Sequence, residues 1–213
     1  MDLETLSELT RLPTTFFPSP SPSSSSGEKP RIIAVAYDYS NYGDAMIAKS
    51  IHSDILRPTD DIRLVYIINQ ADYRNLFVSM VPSLGAGGVC NDLADTYLRN
   101  VVDTFMWEII TALNKRGFHN VSSEVLRGDP KEVIIDYCQA VKPTYLVTGT
   151  RGFGTVRRTV LGSVSNYLVR HCPCPVLVVK LSPEEIEARK EMNNKKKNTF
   201  TEVLAKFDYP QPI

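Results

Sequence analysis

Several features are scarce in this chain, and each scarcity narrows what it can do. Charge of one sign is missing: 24 Lys and Arg balance 24 Asp and Glu, for a formal net charge of +0. Such a balance sets up no field that would draw nucleic acid or an anionic membrane as the main partner. Long apolar runs are missing too, and none approaches the roughly 20 residues of a membrane-spanning helix. The opening residues, MDLETLSEL, are acidic and contain no basic stretch followed by an apolar one, so they read neither as a secretory signal nor as an Arg-rich transit peptide. The cysteines are few (Cys90, Cys138, Cys172 and Cys174), and they lack the paired spacing of structural zinc. Cys172-Pro173-Cys174 is their one cluster. Its plain reading is thiols entering a strand, with metal or redox use as the lesser alternative. A reducing compartment, cytoplasmic or else nuclear, fits such a chain. The three histidines, His52, His119 and His171, are isolated from one another in the sequence.

What remains is ordinary for a folded protein. The chain has 213 residues, 43% hydrophobic and 23% charged, enough for one core with tails. Residues 1–30 read as a tail, because Pro18-Ser19-Pro20-Ser21-Pro22 and Ser23 to Ser26 have no apolar periodicity to pack. Leu3, Leu6, Leu9 and Leu12 before that tract allow a short amphipathic helix.

Residues 31–181 alternate between two patterns. Arg31–Tyr37, Ile62–Ile68, Val121–Leu126, Thr144–Thr148 and Pro175–Lys180 are apolar and β-rich. Between them, about Tyr42–Leu56, Asp92–Lys115, Pro130–Val141 and Gly162–His171 carry helical periodicity. Strands alternating with helices predict an α/β fold, a doubly wound five-stranded parallel sheet with helices on both faces. Asn69 to Cys90, with Gly85, Gly87 and Gly88, is irregular and reads as a loop, a lid or a partly packed crossover. Residues 182–213 turn polar. Ser182-Pro183-Glu184-Glu185 starts a helix, expected to be exposed or disordered, and it leads to the basic run Lys195-Lys196-Lys197. Phe200, Val203, Leu204 and Phe207 beyond it would fold back or serve a protein partner.

The chain is organised around Thr148 to Ser165, TGTRGFGTVRRTVLGSVS. It follows the fourth strand, places Gly149 and Gly152 two residues apart, and after nine more residues reaches Gly162-Ser163 at a helix start. Glycines let backbone approach a ligand, and the first N–H groups of a helix have no intrahelical partner and attract phosphate. The order is that of a phosphate cradle; a tight turn with glycines for packing is the alternative. It is not the P-loop, which ends in Gly-Lys-Ser/Thr, nor the dinucleotide fingerprint, whose third glycine would fall at Arg157. Arg151, Arg157 and Arg158 lie inside the stretch, where a guanidinium would favour a triphosphate or stay solvated. Asp38 ends the first strand, either as an acceptor for a base or ribose in the crevice or as part of a helix cap.

Gly-x2-Gly-x9-Gly-Ser, continued by Val164-Ser165 and by His171-Cys172-Pro173-Cys174-Pro175-Val176, resembles the nucleotide-binding signature of the universal stress protein family in its ATP-binding branch. The resemblance covers about residues 31–181 and neither tail. It implies strand order 3-2-1-4-5 and an adenine-nucleotide ligand, ATP or AMP/ADP with Mg²⁺. Asp38 would lie at the adenosine, and backbone groups of Ile67 at adenine, with Tyr66 departing from the family's frequent His. Gly128, in a Gly-x-Pro turn, would border the nucleotide. Gly149, Gly152, Gly162, Ser163, Val164 and Ser165, with Arg151 beside them, would hold ribose and phosphates. It further implies a homodimer through the last strand. The function expected is regulatory, the nucleotide acting as a conformational ligand. The alternatives are a slow ATPase or nucleotidyl transferase on the same fold, or a nucleotide-free dimerisation scaffold. The His-x-Gly-His and SGGxDS-type signatures of related enzymes do not occur, and no base stands in the glycine stretch to activate water, so no catalytic residue is assigned.

Overall fold

The structure, a computed structural model, describes residues 30–68, 91–150 and 161–194. The Ser/Pro tract, the glycine-rich segment after Ile68, Arg151, Gly152, Arg157, Arg158 and the basic run from Lys195 onward lie outside the described residues. Among the described residues ten elements follow in order: β1 (Ile32–Ala36), α1 (Asn41–His52), β2 (Asp61–Ile68), α2 (Asn91–Asn114), β3 (Val121–Arg127), α3 (Pro130–Val141), β4 (Tyr145–Gly149), α4 (Ser163–His171), β5 (Val176–Val179) and α5 (Pro183–Asn194).

All five strands run parallel in the order β3-β2-β1-β4-β5, as the alternation and the resemblance implied. Strand alternation sends side chains to two separate cores. Ile33, Val35, Ile62 and Leu64 face Met46 and Ile47 of α1 and Met106, Ile110 and Leu113 of α2. Ala34, Val65, Ile67 and Leu146 face Val133, Ile134 and Tyr137 of α3 and Leu168 of α4. Covering both faces removes the strands from water, which is why they read as near-continuous apolar runs. Each buried Ile, Leu or Val contributes about 1.5–3 kcal/mol to the fold.

Helix ends follow local chemistry. In α3, Asp129 accepts the Lys131 N–H (2.8 Å), Pro130 opens the helix, and Lys142 closes it at φ 52°. Apolar spacing carried the expected first helix on to Leu56, but α1 stops at His52. Asp54 adopts φ 56°, and the Ile55 and Leu56 N–H groups fold back onto the Ser50 carbonyl (2.9 and 3.1 Å). The chain bends there, so the apolar pattern continues past the helix.

The polar C-terminal helix forms and departs from expectation by packing. Ser182 and Glu185 cap it reciprocally, the Ser182 N–H donating to Glu185 (2.7 Å) and the Glu185 N–H to Ser182 Oγ (3.3 Å). Ile186 is buried, Glu185 pairs with Lys49 at 2.9 Å, and Arg189 reaches Asp44 at 3.4 Å. These contacts bind α5 along α1.

Candidate functional site

Four candidate positions line up along the carboxyl edge of the sheet. Across that edge stand Gly128 after β3, Ile67 near the end of β2, Asp38 after β1 and Gly149 closing β4. From β1 the chain crosses to β2 on one side; from β4 it crosses to β5 on the other. The strands β1 and β4 are neighbours, with Val35 beside Val147, so the strand order reverses between them, the place where ligands of doubly wound sheets lie.

Asp38 sits on the floor of the turn between β1 and α1. Its Oδ1 accepts from the Ser40 hydroxyl (2.6 Å) and the Ser40 N–H (3.2 Å). Ser40 Oγ in turn accepts from the Gly43 N–H (3.0 Å), capping α1. Burial raises the Asp38 carboxyl above its ordinary range, opposed by the two hydrogen bonds from Ser40. The cap role and a ligand role are compatible, because the cap uses one oxygen.

Ile67 is placed by the sheet. The last rung between β1 and β2 is the Tyr37 N–H donating to the Val65 carbonyl (3.0 Å). In a parallel strand, alternate residues aim their backbone groups at the same neighbour. The Ile67 N–H and carbonyl therefore point the way Val65 points, beyond that last rung. Its side chain, 5% exposed, packs into the core shared with α3.

Beyond β4, the Gly162 N–H donates to the Thr150 carbonyl (2.8 Å), bringing the start of α4 against the end of the strand. Ser165, 4% exposed, donates its hydroxyl to the Gly149 carbonyl (2.6 Å) and lies 3.5 Å from Thr148 Oγ1. The hydroxyl expected at the phosphates thus already ties the helix to the strand. Ser163 is exposed and Val164 half-buried. The N-cap of α4 is Gly162, which supplies no side-chain acceptor, and the first turn holds no acidic residue.

Gly128 has a local reason for its identity. At φ +138° a side chain is strained, and a Cβ would stand 2.7 Å from Val133 Cγ2. Its N–H donates to the Ile68 carbonyl (3.1 Å), holding the turn against the end of β2.

Sequence reasoning passed over three residues beside Asp38. Gly43 lies in the first turn of α1, and a Cβ there would come within 2.6 Å of Asp38 Oδ1 and 3.0 Å of the Tyr37 ring. The available signal was a glycine inside a helix, a costly choice that implies a packing reason. Tyr37 donates to Asp44 Oδ1 (2.6 Å), and burial pushes its hydroxyl well above the ordinary range. Tyr39, at φ 48°, stacks on Phe105 with ring centroids 3.9 Å apart and donates to Glu108 (3.1 Å).

Comparison with known proteins converges on one group. The universal stress protein family model matches residues 30–180. A universal stress protein A-like protein of Arabidopsis thaliana is 41% identical over 58 residues, 27% of this chain and 33% of that protein. A universal stress protein of Methanocaldococcus jannaschii is 35% identical over 65 residues, 30% of this chain and 38% of that one. The matched segments thus span between a third and under half of these relatives. Among solved structures, the universal stress protein UspA of Lactobacillus plantarum superposes with a TM-score of 0.52 at 20% identity, covering 72% of this chain and 99% of that one. The hypothetical protein PH0823 gives 0.54 at 18%, covering 71% and 96%. Both structural likenesses bear on the fold.

Proposed function

Because the chain belongs to the universal stress protein family, we propose that it is an adenine-nucleotide-binding member in which ATP, or AMP/ADP, acts as a conformational ligand in stress regulation. The observation that carries this reading is the first turn of α4, whose glycine N-cap offers no side-chain acceptor, beside the end of β4 and across the switch point from Asp38. Free helix N–H groups and the helix dipole suit phosphates. The Asp38 carboxylate suits hydroxyl or amino donors, and the outward backbone groups of Ile67 suit the donor–acceptor edge of adenine. Ribose and phosphates would lie over Gly149, Gly162, Ser163 and Val164, with Arg151 and Gly152 completing the cradle. Mg²⁺ would ride on the phosphates and screen their charge, taking its oxygens from phosphate and water.

β5 lies at the edge of the sheet, and an apolar edge invites pairing, so the reading includes a homodimer through Pro175 to Lys180. Among the described residues no helix is long and apolar enough to cross a membrane; a cytoplasmic site of action is part of the proposal.

The test is to purify the protein natively without added nucleotide, denature it and identify any released small molecule by mass spectrometry. ATP, ADP, AMP and GTP are then titrated by calorimetry beside a turnover assay. Adenine nucleotides bound in preference to GTP, with negligible turnover and loss of affinity in Gly162→Val, are the expected results. Turnover at ordinary enzymatic rates would make it an ATPase or transferase. A folded dimer that binds no nucleotide would leave only the scaffold.

A further inference from the structure

The amino edge of the sheet, opposite the crevice, holds a second group of side chains with chemistry of their own. Cys138 lies in the last turn of α3, Cys172 caps the end of α4, and Cys174 precedes β5. Their three sulfurs all fall within 4.8 Å of one another, and those of Cys172 and Cys174 are 3.5 Å apart. Cys138 is 1% exposed, and the other two are half-buried. Backbone bonds hold two of the three positions: the Cys138 carbonyl accepts the Lys142 N–H (2.9 Å), and the Cys172 N–H donates to the Leu168 carbonyl (2.9 Å).

We propose that Cys138, Cys172 and Cys174 bind a thiophilic monovalent cation, Cu(I), in a three-sulfur site. A metal about 2.3 Å from three sulfurs in one plane sets those sulfurs about 4.0 Å apart. The observed spacing, 3.5 Å between Cys172 and Cys174 and no more than 4.8 Å for any pair, lies close to that value, so small side-chain rotations suffice. The group contains sulfur alone, with no carboxylate or imidazole. Soft thiolates select Cu(I), which is content with three ligands, whereas Zn²⁺ prefers four.

The rival use is oxidation to a disulfide, which employs two sulfurs and leaves the third without a role. Copper would displace the thiol protons and tie α3, α4 and β5 together. The inference does not depend on nucleotide binding, although α4 belongs to both ends.

The experiment uses the full chain, reduced and kept anaerobic, titrated with Cu(I) against a chromophoric Cu(I) chelator. Expected are one Cu(I) per chain, a sulfur-to-copper charge-transfer band in the near ultraviolet, and a raised melting temperature. Cys172→Ala and Cys174→Ala, at half-buried positions where folding should survive, should each weaken binding by at least about tenfold, and Cys138→Ser by as much or more. Failure of the wild-type chain to compete with the chelator overturns the proposal, as does copper binding that survives in Cys172→Ala and Cys174→Ala. Stoichiometric Zn²⁺ binding without Cu(I) binding overturns the choice of metal. Loss of two titratable thiols in air by a chain that takes up no copper makes the cluster a redox pair instead.

Discussion

Helices α1 and α4 start from neighbouring strands at the same edge of the sheet, yet their first turns are finished in opposite ways. At α1, Ser40 caps the helix, the Asp38 carboxylate binds Ser40, and Asp44 adds a second acid to the first turn. Negative charge already occupies the positive end of that dipole. At α4 the cap is glycine, which offers no side-chain acceptor, and the first turn holds no acid. α3 and α5 follow the α1 pattern, capped by Asp129 and Ser182. On the proposed reading, the difference would give the site a polarity, with phosphates repelled from the α1 side and favoured at α4 and donors drawn to Asp38. A nucleotide would then lie with its base towards β1 and β2 and its phosphates over α4.

Making the two ends alike should have the largest effect. Gly162 has φ −58° and ψ 154°, which a side chain adopts without strain, so Gly162→Asp would cap α4 as Ser40 caps α1. We expect the melting temperature to hold or rise slightly, while ATP affinity falls about 100-fold as a charge-assisted hydrogen bond is lost and repulsion is added. Calorimetric titration beside a thermal melt reads both; wild-type affinity in this variant would remove α4 from the site.

Next in size is Ser165→Ala, which strips the Gly149 carbonyl of its 2.6 Å partner. We expect a loss of about 1–2 kcal/mol in urea unfolding, because this hydroxyl positions the helix. Unchanged stability with lost affinity would hand the hydroxyl to the ligand.

Gly43→Ala sharpens the contrast from the α1 side. The new Cβ would stand 2.6 Å from Asp38 Oδ1 and 3.0 Å from the buried Tyr37 ring, so both must shift. Alanine's helix preference, about 1 kcal/mol, offsets part of that cost. We therefore expect a net stability loss of about 1 kcal/mol with adenine-nucleotide affinity reduced about tenfold; a variant that binds normally would show that Asp38 only caps.

The smallest effect belongs to Asp38→Asn. Burial raises the folded-state pKa of Asp38, so its contribution to stability is fully present below the unfolded value, about 3.9, and is lost as pH rises through the folded one. Once ionised, the wild type carries a buried charge that the amide lacks. The variant should be equally stable or up to about 1 kcal/mol more stable above the folded pKa, the gap closing in acid. Denaturant melts across pH would show it; a variant clearly less stable at pH 7 would mean the charge itself holds the α1 turn together.

Legibility differed along the chain for physical reasons. α3 was readable close to both ends, because Pro130 marks the start of an apolar-periodic run that ends near Val141. The end of α1 was not, since Ile55 and Leu56 extend the periodicity while the turn at Asp54 carries no glycine. α5 was visible as a helix but not as a packed one. Its hold comes from Ile186 and from ion pairs to Lys49 and Asp44, 136 and 145 residues away. In the candidate site, Asp38, Gly149 and Gly162 announced themselves by type and spacing. The engagement of Ser165 and the contact of Gly43 with Asp38 did not, because each depends on a partner distant in sequence or on free space.

By itself the sequence determined the alternation of strands and helices, the two-sided burial of the sheet, and the glycine start of α4. These are local matters of period, propensity and capping, settled among residues a few positions apart. The tertiary structure decided the rest. It turned the backbone of Ile67 past the last rung of β1, spent the Ser165 hydroxyl on Gly149, laid α5 along α1, and brought Cys138 to Cys172 and Cys174. Each of these needs groups far apart in the chain to meet at hydrogen-bond or van der Waals distance, and only the packing of helices on the twisted sheet sets such distances.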